Sequence, residues 1–261
     1  MKSSEPNKWV DKAFFDVLAK AGERLLELWQ QERSLLRIEE KGDGSLVSKA
    51  DYESNKIILE WLGTRYPEDS IFSEESNPDF NAIRATCRTW IIDPLDGTSS
   101  FLNGKDDFSV LIGLCEWLKP VFGSMLFPAR NKLLVGGKNL QATCNGMSIA
   151  VSRSTQFRPK GLYIRNWDVD DQSLVAPAVD SGAALCAVAE GTLDGAIIKM
   201  VSHRDWDVAA PSAIIEAAGG RITTESGEEV PFGHKTPPYQ YFVASNGILH
   251  EQLLELLRQN S

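Results

Sequence analysis

An apolar segment that runs without a break into an aspartate-rich turn constrains this chain more than any other feature. Residues 89–92 read Thr-Trp-Ile-Ile, a pattern typical of a buried β-strand, and residues 93–98 read Asp-Pro-Leu-Asp-Gly-Thr. The tight turn after the strand fixes the direction of the backbone, and Gly97 lets the chain fold closely around a ligand. We therefore expect Asp93 and Asp96 to point into one pocket at the end of this strand.

Further carboxylates stand at comparable places, each at the end of a predicted strand or the start of a predicted helix. Glu74 and Glu75 follow a predicted strand, Asp51 lies at the start of a predicted helix, and Asp207 directly precedes another. Convergent carboxylates without cysteine or histidine form an oxygen-donor site, which Mg²⁺ or Mn²⁺ prefers and zinc or copper does not. The sequence thus predicts a site for hard divalent cations.

Predicted helices and strands alternate along the chain without an internal repeat. Helices are predicted over residues 9–29, 182–190, 208–218 and 248–257 and directly after Ser48, and strands over residues 70–73, 89–92, 108–114, 121–127, 196–199 and 241–244. This order favours an α/β (α+β) fold, in which sheets are layered with helices, over an all-α or all-β fold.

A change of composition near residue 152 indicates two domains. Residues 151–160 lose hydrophobic periodicity and gain Ser, Arg and Pro. We expect an N-terminal α+β domain over residues 1–152, which carries the Glu-Glu and Asp-Pro-Leu-Asp-Gly-Thr motifs. A C-terminal α/β domain over residues 153–261 would carry Trp206-Asp207.

Charge and cysteine usage narrow the classes of partner and the compartment. The 36 acidic and 27 basic side chains give a formal net charge of −9, which repels nucleic-acid polymers and anionic lipid. Residues 1–11 lack the apolar core of a signal peptide, and the longest apolar run, residues 110–118, already contains Glu116. We expect no nucleic-acid polymer and no membrane as partner, and a cytoplasmic location in which the cysteines are free thiols. These are Cys87, Cys115, Cys144 and Cys186.

Three motifs together resemble the inositol monophosphatase superfamily of Mg²⁺-dependent, Li⁺-sensitive phosphatases. They are Phe72-Ser73-Glu74-Glu75-Ser76, the segment from Trp90 to Thr98, and Trp206-Asp207-Val208-Ala209-Ala210 followed by Glu216-Ala217-Ala218-Gly219-Gly220. They occur in the family's order and at its distances, over nearly the whole chain. The resemblance implies a sugar-phosphatase-like layered sandwich with the metal site between its two halves. It leaves a homodimer and a monomer open, because the family contains both.

The resemblance also implies which residues hold the metal ions. Asp93 would bridge two Mg²⁺ ions. The first would also be bound by Glu74 and the carbonyl oxygen of Leu95, and the second by Asp96 and Asp207.

The remaining implied roles concern the water and the phosphate. Asp51 and Thr98 would together polarise the attacking water, and the backbone amides of Gly97 and Thr98 would receive the phosphate. Glu75 would either reach a third Mg²⁺ or only order its loop. Li⁺ is the expected inhibitor.

The sequence departs from the inositol monophosphatases where the substrate would bind. In those enzymes an acidic residue that contacts substrate hydroxyls lies seven positions before the aspartate of the Trp-Asp motif, and here that place is Met200. The nearby cations Lys199, His203 and Arg204 are candidates for binding a second phosphate.

Two short segments indicate different substrates. Residues 107–110, Asp-Phe-Ser-Val, resemble a stretch of the bacterial 3'(2'),5'-bisphosphate nucleotidases, whereas residues 99–104 are closer to the inositol branch. We predict a Mg²⁺-dependent phosphomonoesterase, with 3'-phosphoadenosine 5'-phosphate as the leading substrate and inositol 1-phosphate as the alternative. Histidinol phosphate and fructose 1,6-bisphosphate are further alternatives. A catalytically silent protein that binds metal or a partner is the non-enzyme alternative.

Overall fold

The computed structural model of the chain describes residues 11–42, 46–76, 87–167, 169–201, 203–234 and 236–259. Within them the α-helices are α1 (Lys12–Trp29), α2 (Lys49–Arg65), α3 (Thr98–Leu102), α4 (Ser181–Ala189), α5 (Asp205–Ala217) and α6 (His250–Gln259). The strands are β1 (Glu39–Glu40), β2 (Leu46–Val47), β3 (Ser70–Ser73), β4 (Arg88–Asp96), β5 (Ser109–Glu116), β6 (Lys119–Phe127), β7 (Lys132–Gly137), β8 (Leu140–Cys144), β9 (Met147–Ser148), β10 (Leu162–Arg165), β11 (Gly195–Lys199), β12 (Arg221–Thr224) and β13 (Tyr241–Ser245).

Two sheets carry most of the strands. The larger has seven strands in sequential order from β3 to β9, parallel between β3 and β4 and antiparallel elsewhere. The smaller has four strands in the order β10-β11-β13-β12, and only the β10–β11 pair is parallel. Strands β1 and β2 form a separate antiparallel pair.

Helices and sheets alternate in five layers. Helices α1 and α2 cover the outer face of the large sheet, where Phe14 packs with Trp90. Helices α4 and α5 lie between the sheets, in a core that contains Ile91 from the large sheet and Phe242 from the small one. Helix α6 covers the other face of the small sheet through residues such as Leu253. This arrangement confirms the predicted α/β layered fold.

Helix α1 illustrates how the sequence pattern produces a layer. Its buried positions follow helical spacing, so that one stripe faces the sheet while the opposite side is polar. They are Phe14, Val17, Leu18, Ala21, Gly22, Leu25 and Leu28. The helix was predicted to start at residue 9, and residues 1–10 lie outside the described part of the chain.

The pattern does not predict strands β1, β2, β7, β8, β9, β10 and β12. Strand β7 shows why, because it ends in Gly136-Gly137, which have low β-propensity. These glycines allow close packing: a Cβ added to Gly136 would lie 3.0 Å from the Cα of Ile214 on α5, and one on Gly137 would lie 2.3 Å from the carbonyl oxygen of Val121. Close tertiary packing therefore accounts for Gly136 and Gly137, and local β-propensity does not.

The predicted domain boundary at residue 152 falls between the two sheets, since β9 ends at Ser148 and β10 begins at Leu162. Both sheets nevertheless contribute to one buried core around α4 and α5. The division into residues 1–152 and 153–261 stays a prediction. Among the described residues, no helix is long and apolar enough to cross a lipid bilayer.

Candidate active site

A bulge in β4 brings the two aspartates of the Asp-Pro-Leu-Asp motif to the same side of the sheet. In a regular strand, residues three apart point to opposite faces. The pairing of β4 with β5 shifts between Asp93, opposite Leu111, and Asp96, opposite Ser109. Because of this irregularity, carboxylate oxygens of Asp93 and Asp96 lie within 4.8 Å of each other. The strand was predicted to end at residue 92 and in fact continues through Pro94 to Asp96.

Asp207 joins them from α5. This helix begins at Asp205, three residues earlier than predicted, so Asp207 lies inside its first turn. Its Oδ2 accepts a hydrogen bond of 2.6 Å from the backbone N–H of Arg204, which fixes the side chain at the start of the helix. Carboxylate oxygens of Asp93, Asp96 and Asp207 all lie within 4.8 Å of one another.

The three carboxylates are strongly perturbed by burial and by one another. Burial raises the pKa of Asp93 and of Asp96 well above the ordinary value of an aspartate, and the charges of Glu74 and Asp180, respectively, raise them further. Burial, followed by the charge of Glu74, raises the pKa of Asp207 to about 8. A divalent cation would relieve this repulsion, and all the donor atoms are carboxylate oxygens. The cluster therefore fits Mg²⁺ or Mn²⁺.

Glu74 and Glu75 follow β3 on the same side of the molecule. The backbone N–H of Glu74 donates to the carbonyl oxygen of Ile92 at 3.1 Å, which continues the β3–β4 pairing beyond the strand. Lys41 Nζ donates to Glu74 Oε1 at 2.8 Å and to Glu75 Oε1 at 2.6 Å. The two glutamates thus share the ammonium group of Lys41 at the edge of the aspartate cluster.

Asp51 and Thr98 form the hydrogen-bonded pair expected beside the metal ligands. Thr98 Oγ1 lies 2.9 Å from Asp51 Oδ1 and 3.1 Å from the carbonyl oxygen of Leu95. Ser48, the N-cap of α2, donates to Asp51 Oδ2 from both its backbone nitrogen and its hydroxyl, each at 2.7 Å. Burial raises the pKa of Asp51 to about 6, although these hydrogen bonds favour its ionised form. The pair offers a fixed route for a proton.

Gly97 follows with a positive φ of 80° and precedes α3. A Cβ at this position would lie 3.0 Å from Cγ of Asp180, the N-cap of α4. Gly182 is also confined, because a Cβ added there would lie 2.0 Å from Asp96 Oδ2. The sequence analysis did not identify Asp180 or Gly182 as site residues. Their signal is weak, because an Asp-Ser-Gly step before a helix is also an ordinary cap.

The model of the inositol monophosphatase family matches residues 7–261. The chain belongs to the inositol monophosphatase family. It is 31% identical over 239 residues to the fructose-1,6-bisphosphatase/inositol-1-monophosphatase of Aquifex aeolicus, with 85% of each chain covered. It is 28% identical over 234 residues to a 3'(2'),5'-bisphosphate nucleotidase of Buchnera aphidicola, with 84% of this chain and 86% of the other covered.

The fold agrees with this membership. The structure of an inositol monophosphatase from Anabaena matches with a TM-score of 0.75 at 26% identity, covering 96% of this chain and 97% of that one. The predicted recognition, fold class and enzyme class are confirmed, so this inositol monophosphatase family member is a phosphatase. The relatives are named for different phosphate esters, and the family as a whole depends on Mg²⁺.

In this family member the three predicted substrate cations lie in different places. Ile198 on β11 faces the core between the sheets, so its neighbour Lys199 points to the opposite face. The Nζ of Lys199 lies 5.5 Å from the ring centroid of Tyr241. The structure therefore places Lys199 on the side of the sheet that carries α6, away from the aspartates. His203 is buried, and its Nε2 lies 2.9 Å from Ser181 Oγ. Arg204 is half-buried and donates to the carbonyl oxygen of His203 at 2.8 Å.

A fourth cation, Arg165, was not predicted. It ends β10, and its Nη1 lies 3.0 Å from Ser181 Oγ and 3.6 Å from Asp180 Oδ2. A charged residue that ends an apolar strand was the signal that identified Glu74. Strand β10 was not predicted from the sequence, so Arg165 was not recognised as a charged residue at a strand end.

Proposed function

We propose that this phosphatase hydrolyses 3'-phosphoadenosine 5'-phosphate by direct attack of water, with Mg²⁺ held by Glu74, Asp93, Asp96, Asp207 and the carbonyl oxygen of Leu95. The observation that carries the proposal is the trio of aspartates, of which Asp93 and Asp96 are buried and Asp207 is half-buried, beside the Asp51–Thr98 pair. A protein that only bound metal would not require Thr98 to be tied to a buried carboxylate.

The chain's own residues orient the water and move its proton. The Thr98 hydroxyl accepts a hydrogen bond from the attacking water while it donates to Asp51 Oδ1, so that the proton path leads toward a buried carboxylate with a pKa of about 6. Ser48 holds that carboxylate in place. The amides of Gly97 and Thr98 bind the phosphate. No nucleophilic serine or cysteine takes part in this scheme.

Bound Mg²⁺ would neutralise the phosphate and lower the pKa of the attacking water. We propose two ions, with Asp93 as the shared ligand, and inhibition by Li⁺. Glu75 is the candidate ligand of a third ion, and Lys41, which contacts both glutamates, would have to yield to it.

The choice of substrate rests on the cations near the aspartates. A second phosphate requires positive partners, which Arg204 and Arg165 supply, whereas a polyol does not. Met200 lies against the core between the sheets and offers no carboxylate to sugar hydroxyls. Inositol 1-phosphate is the second candidate, because residues 99–104 are closer to the inositol branch.

A panel of four esters tests the substrate. Phosphate release from 3'-phosphoadenosine 5'-phosphate, inositol 1-phosphate, histidinol phosphate and fructose 1,6-bisphosphate is compared as kcat/KM with and without Mg²⁺. We expect the first ester to be preferred. A hundredfold preference for inositol 1-phosphate would overturn the proposed substrate.

Asp93→Asn tests the site itself. We expect kcat to fall by about a thousandfold or more, because a metal ligand is lost, while the far-ultraviolet spectrum stays native. Asp106→Asn is the matched control, since Asp106 is an exposed aspartate that pairs with Arg130. Near-normal hydrolysis by the Asp93 variant would show that the trio is not the reaction site.

We place the reaction in the cytoplasm, where thiols stay reduced. All four cysteines are free in the structure, and Cys115 and Cys186 are buried among apolar residues.

A further inference from the structure

Arg165 extends from the end of β10 toward the N-terminus of α4. Its Nη1 is 3.0 Å from Ser181 Oγ, and the distance of 3.6 Å to Asp180 Oδ2 is too long for a direct hydrogen bond. About a third of the side chain, 34%, remains exposed. The guanidinium is therefore positioned by Ser181 without being locked onto the carboxylate, and the side chain is not fully enclosed by the protein.

The residues on either side of Ser181, which the Arg165 guanidinium contacts, pack against the reaction site. Asp180 packs against Gly97, and Gly182 packs against Asp96 Oδ2. Arg165, which contacts Ser181 between these two residues, therefore lies beside the aspartate trio.

A second guanidinium belongs to the same hydrogen-bonded chain. Ser181 Oγ lies 2.9 Å from His203 Nε2, and Arg204 Nη1 donates to the carbonyl oxygen of His203 at 2.8 Å. Burial lowers the pKa of His203 to about 3, and the charges of Arg165 and Arg204 lower it further, so the imidazole is neutral. The positive charge around Ser181 and His203 therefore comes from Arg165 and Arg204.

We propose that Arg165, assisted by Arg204, forms an anion subsite beside the aspartate cluster that binds a second phosphate or carboxylate of the substrate. The inference rests on the proposed phosphatase function and extends it to a specificity-determining residue. A guanidinium presents five N–H donors in a plane and binds an oxyanion through two parallel hydrogen bonds. A substrate with a single phosphate leaves this subsite unused.

Arg165→Gln tests the subsite with two substrates that differ only in the second phosphate. They are 3'-phosphoadenosine 5'-phosphate and adenosine 3'-phosphate. We expect the ratio of their kcat/KM values to fall by about 10- to 100-fold in the variant, with kcat/KM for adenosine 3'-phosphate nearly unchanged. Arg165→Lys should retain part of the ratio, because it keeps the charge but loses the planar donor pair. Arg221→Gln, which removes an arginine paired with Glu251, is the control and should leave the ratio unchanged.

Two results of the turnover assay would overturn the subsite. One is an equal loss for both substrates, which would mean that Arg165 only supports the fold around Asp180. The other is a wild-type protein that releases phosphate equally well from both, which would leave the phosphatase function intact. Binding provides a readout separate from turnover: in a Thr98→Ala background, Arg165→Gln should reduce the ratio of the two association constants by a similar factor. An unchanged binding ratio would reject the subsite even if the phosphatase assay failed.

Discussion

The Thr98 hydroxyl is held between two hydrogen-bond acceptors of the site. It has one hydrogen and two acceptors in reach, Asp51 Oδ1 at 2.9 Å and the Leu95 carbonyl oxygen at 3.1 Å. Whichever acceptor takes the hydrogen, a lone pair of Thr98 Oγ1 remains to receive a proton from water. The buried position of Asp51, which is 1% exposed, keeps this proton path away from bulk solvent.

Substitutions at Thr98 test whether the hydroxyl moves a proton. Thr98→Ala should lower kcat by about 10²- to 10⁴-fold, the usual contribution of a positioned acid–base group, with little change of KM. Thr98→Ser retains the hydroxyl and should remain within about tenfold of the wild type. Steady-state kinetics of both variants at saturating Mg²⁺ provide the measurement. An alanine variant as active as the serine variant would contradict the proton path.

At the level of single residues, the sequence predicted the site residues that belong to a motif. It missed the residues that only the fold brings close to those motifs. Asp93, Asp96 and Asp207 follow from motifs, and the structure brings them together. Arg165 and Asp180 are separated from the motifs along the chain and meet them only because the N-terminus of α4 packs against Asp96 and Gly97, while Arg165 reaches Ser181. The side of the sheet on which a strand-end residue such as Lys199 lies depends on register, which a short apolar run does not reveal.

The position of Asp207 depends on how closely α5 approaches the large sheet. Gly113 and Gly123 on β5 and β6 face Ala209 and Ala210, which lie just after Asp207 on the helix. A Cβ on Gly123 would lie 2.2 Å from the carbonyl oxygen of Ala210. Small residues on both elements let the backbones approach, and this close contact sets the distance from Asp207 to the β4 aspartates.

Gly123→Ala tests this contact. The added methyl group must push α5 away, so we expect the free energy of unfolding to fall by about 1–3 kcal/mol, with a loss of activity as Asp207 shifts. The matched control is Gly63→Ala, where a Cβ would meet nothing within 4 Å inside helix α2. This control should raise the free energy of unfolding by about 0.5–1 kcal/mol. Equal stability of the two variants in urea titrations would show that the approach of α5 is not limiting.

Element boundaries were the least predictable part of the fold near the site. Strand β4 runs four residues past its predicted end because β5 continues to pair with it across the bulge, even though Pro94 lacks an N–H donor. Helix α5 starts three residues early because the Asp207 side chain accepts a hydrogen bond from the backbone N–H of Arg204 and so fixes the first turn there. Both differences come from hydrogen bonds to partners that hydrophobic periodicity does not report.

At the scale of the whole molecule, charge and layering act together. The chain has a formal net charge of −9, and both sheets meet around α4 and α5 in one core, with Asp93, Asp96 and Asp207 close by. In the metal-free protein this acidic pocket repels a phosphate dianion. The two Mg²⁺ ions that we propose would bring four positive charges, which would take the formal net charge from −9 to −5 and make the pocket itself attractive to phosphate.

Phosphate binding should therefore require metal first. Titration calorimetry with inorganic phosphate should detect binding in the presence of Mg²⁺, and excess chelator should weaken the affinity by about 100-fold or more. Asp93→Asn should abolish the Mg²⁺-dependent part, whereas Asp106→Asn should leave it unchanged, because Asp106 lies in an exposed ion pair with Arg130. Undiminished phosphate binding in chelator would mean that the arginines alone bind the anion. In that case Mg²⁺ would serve the chemical step but not the capture of the substrate.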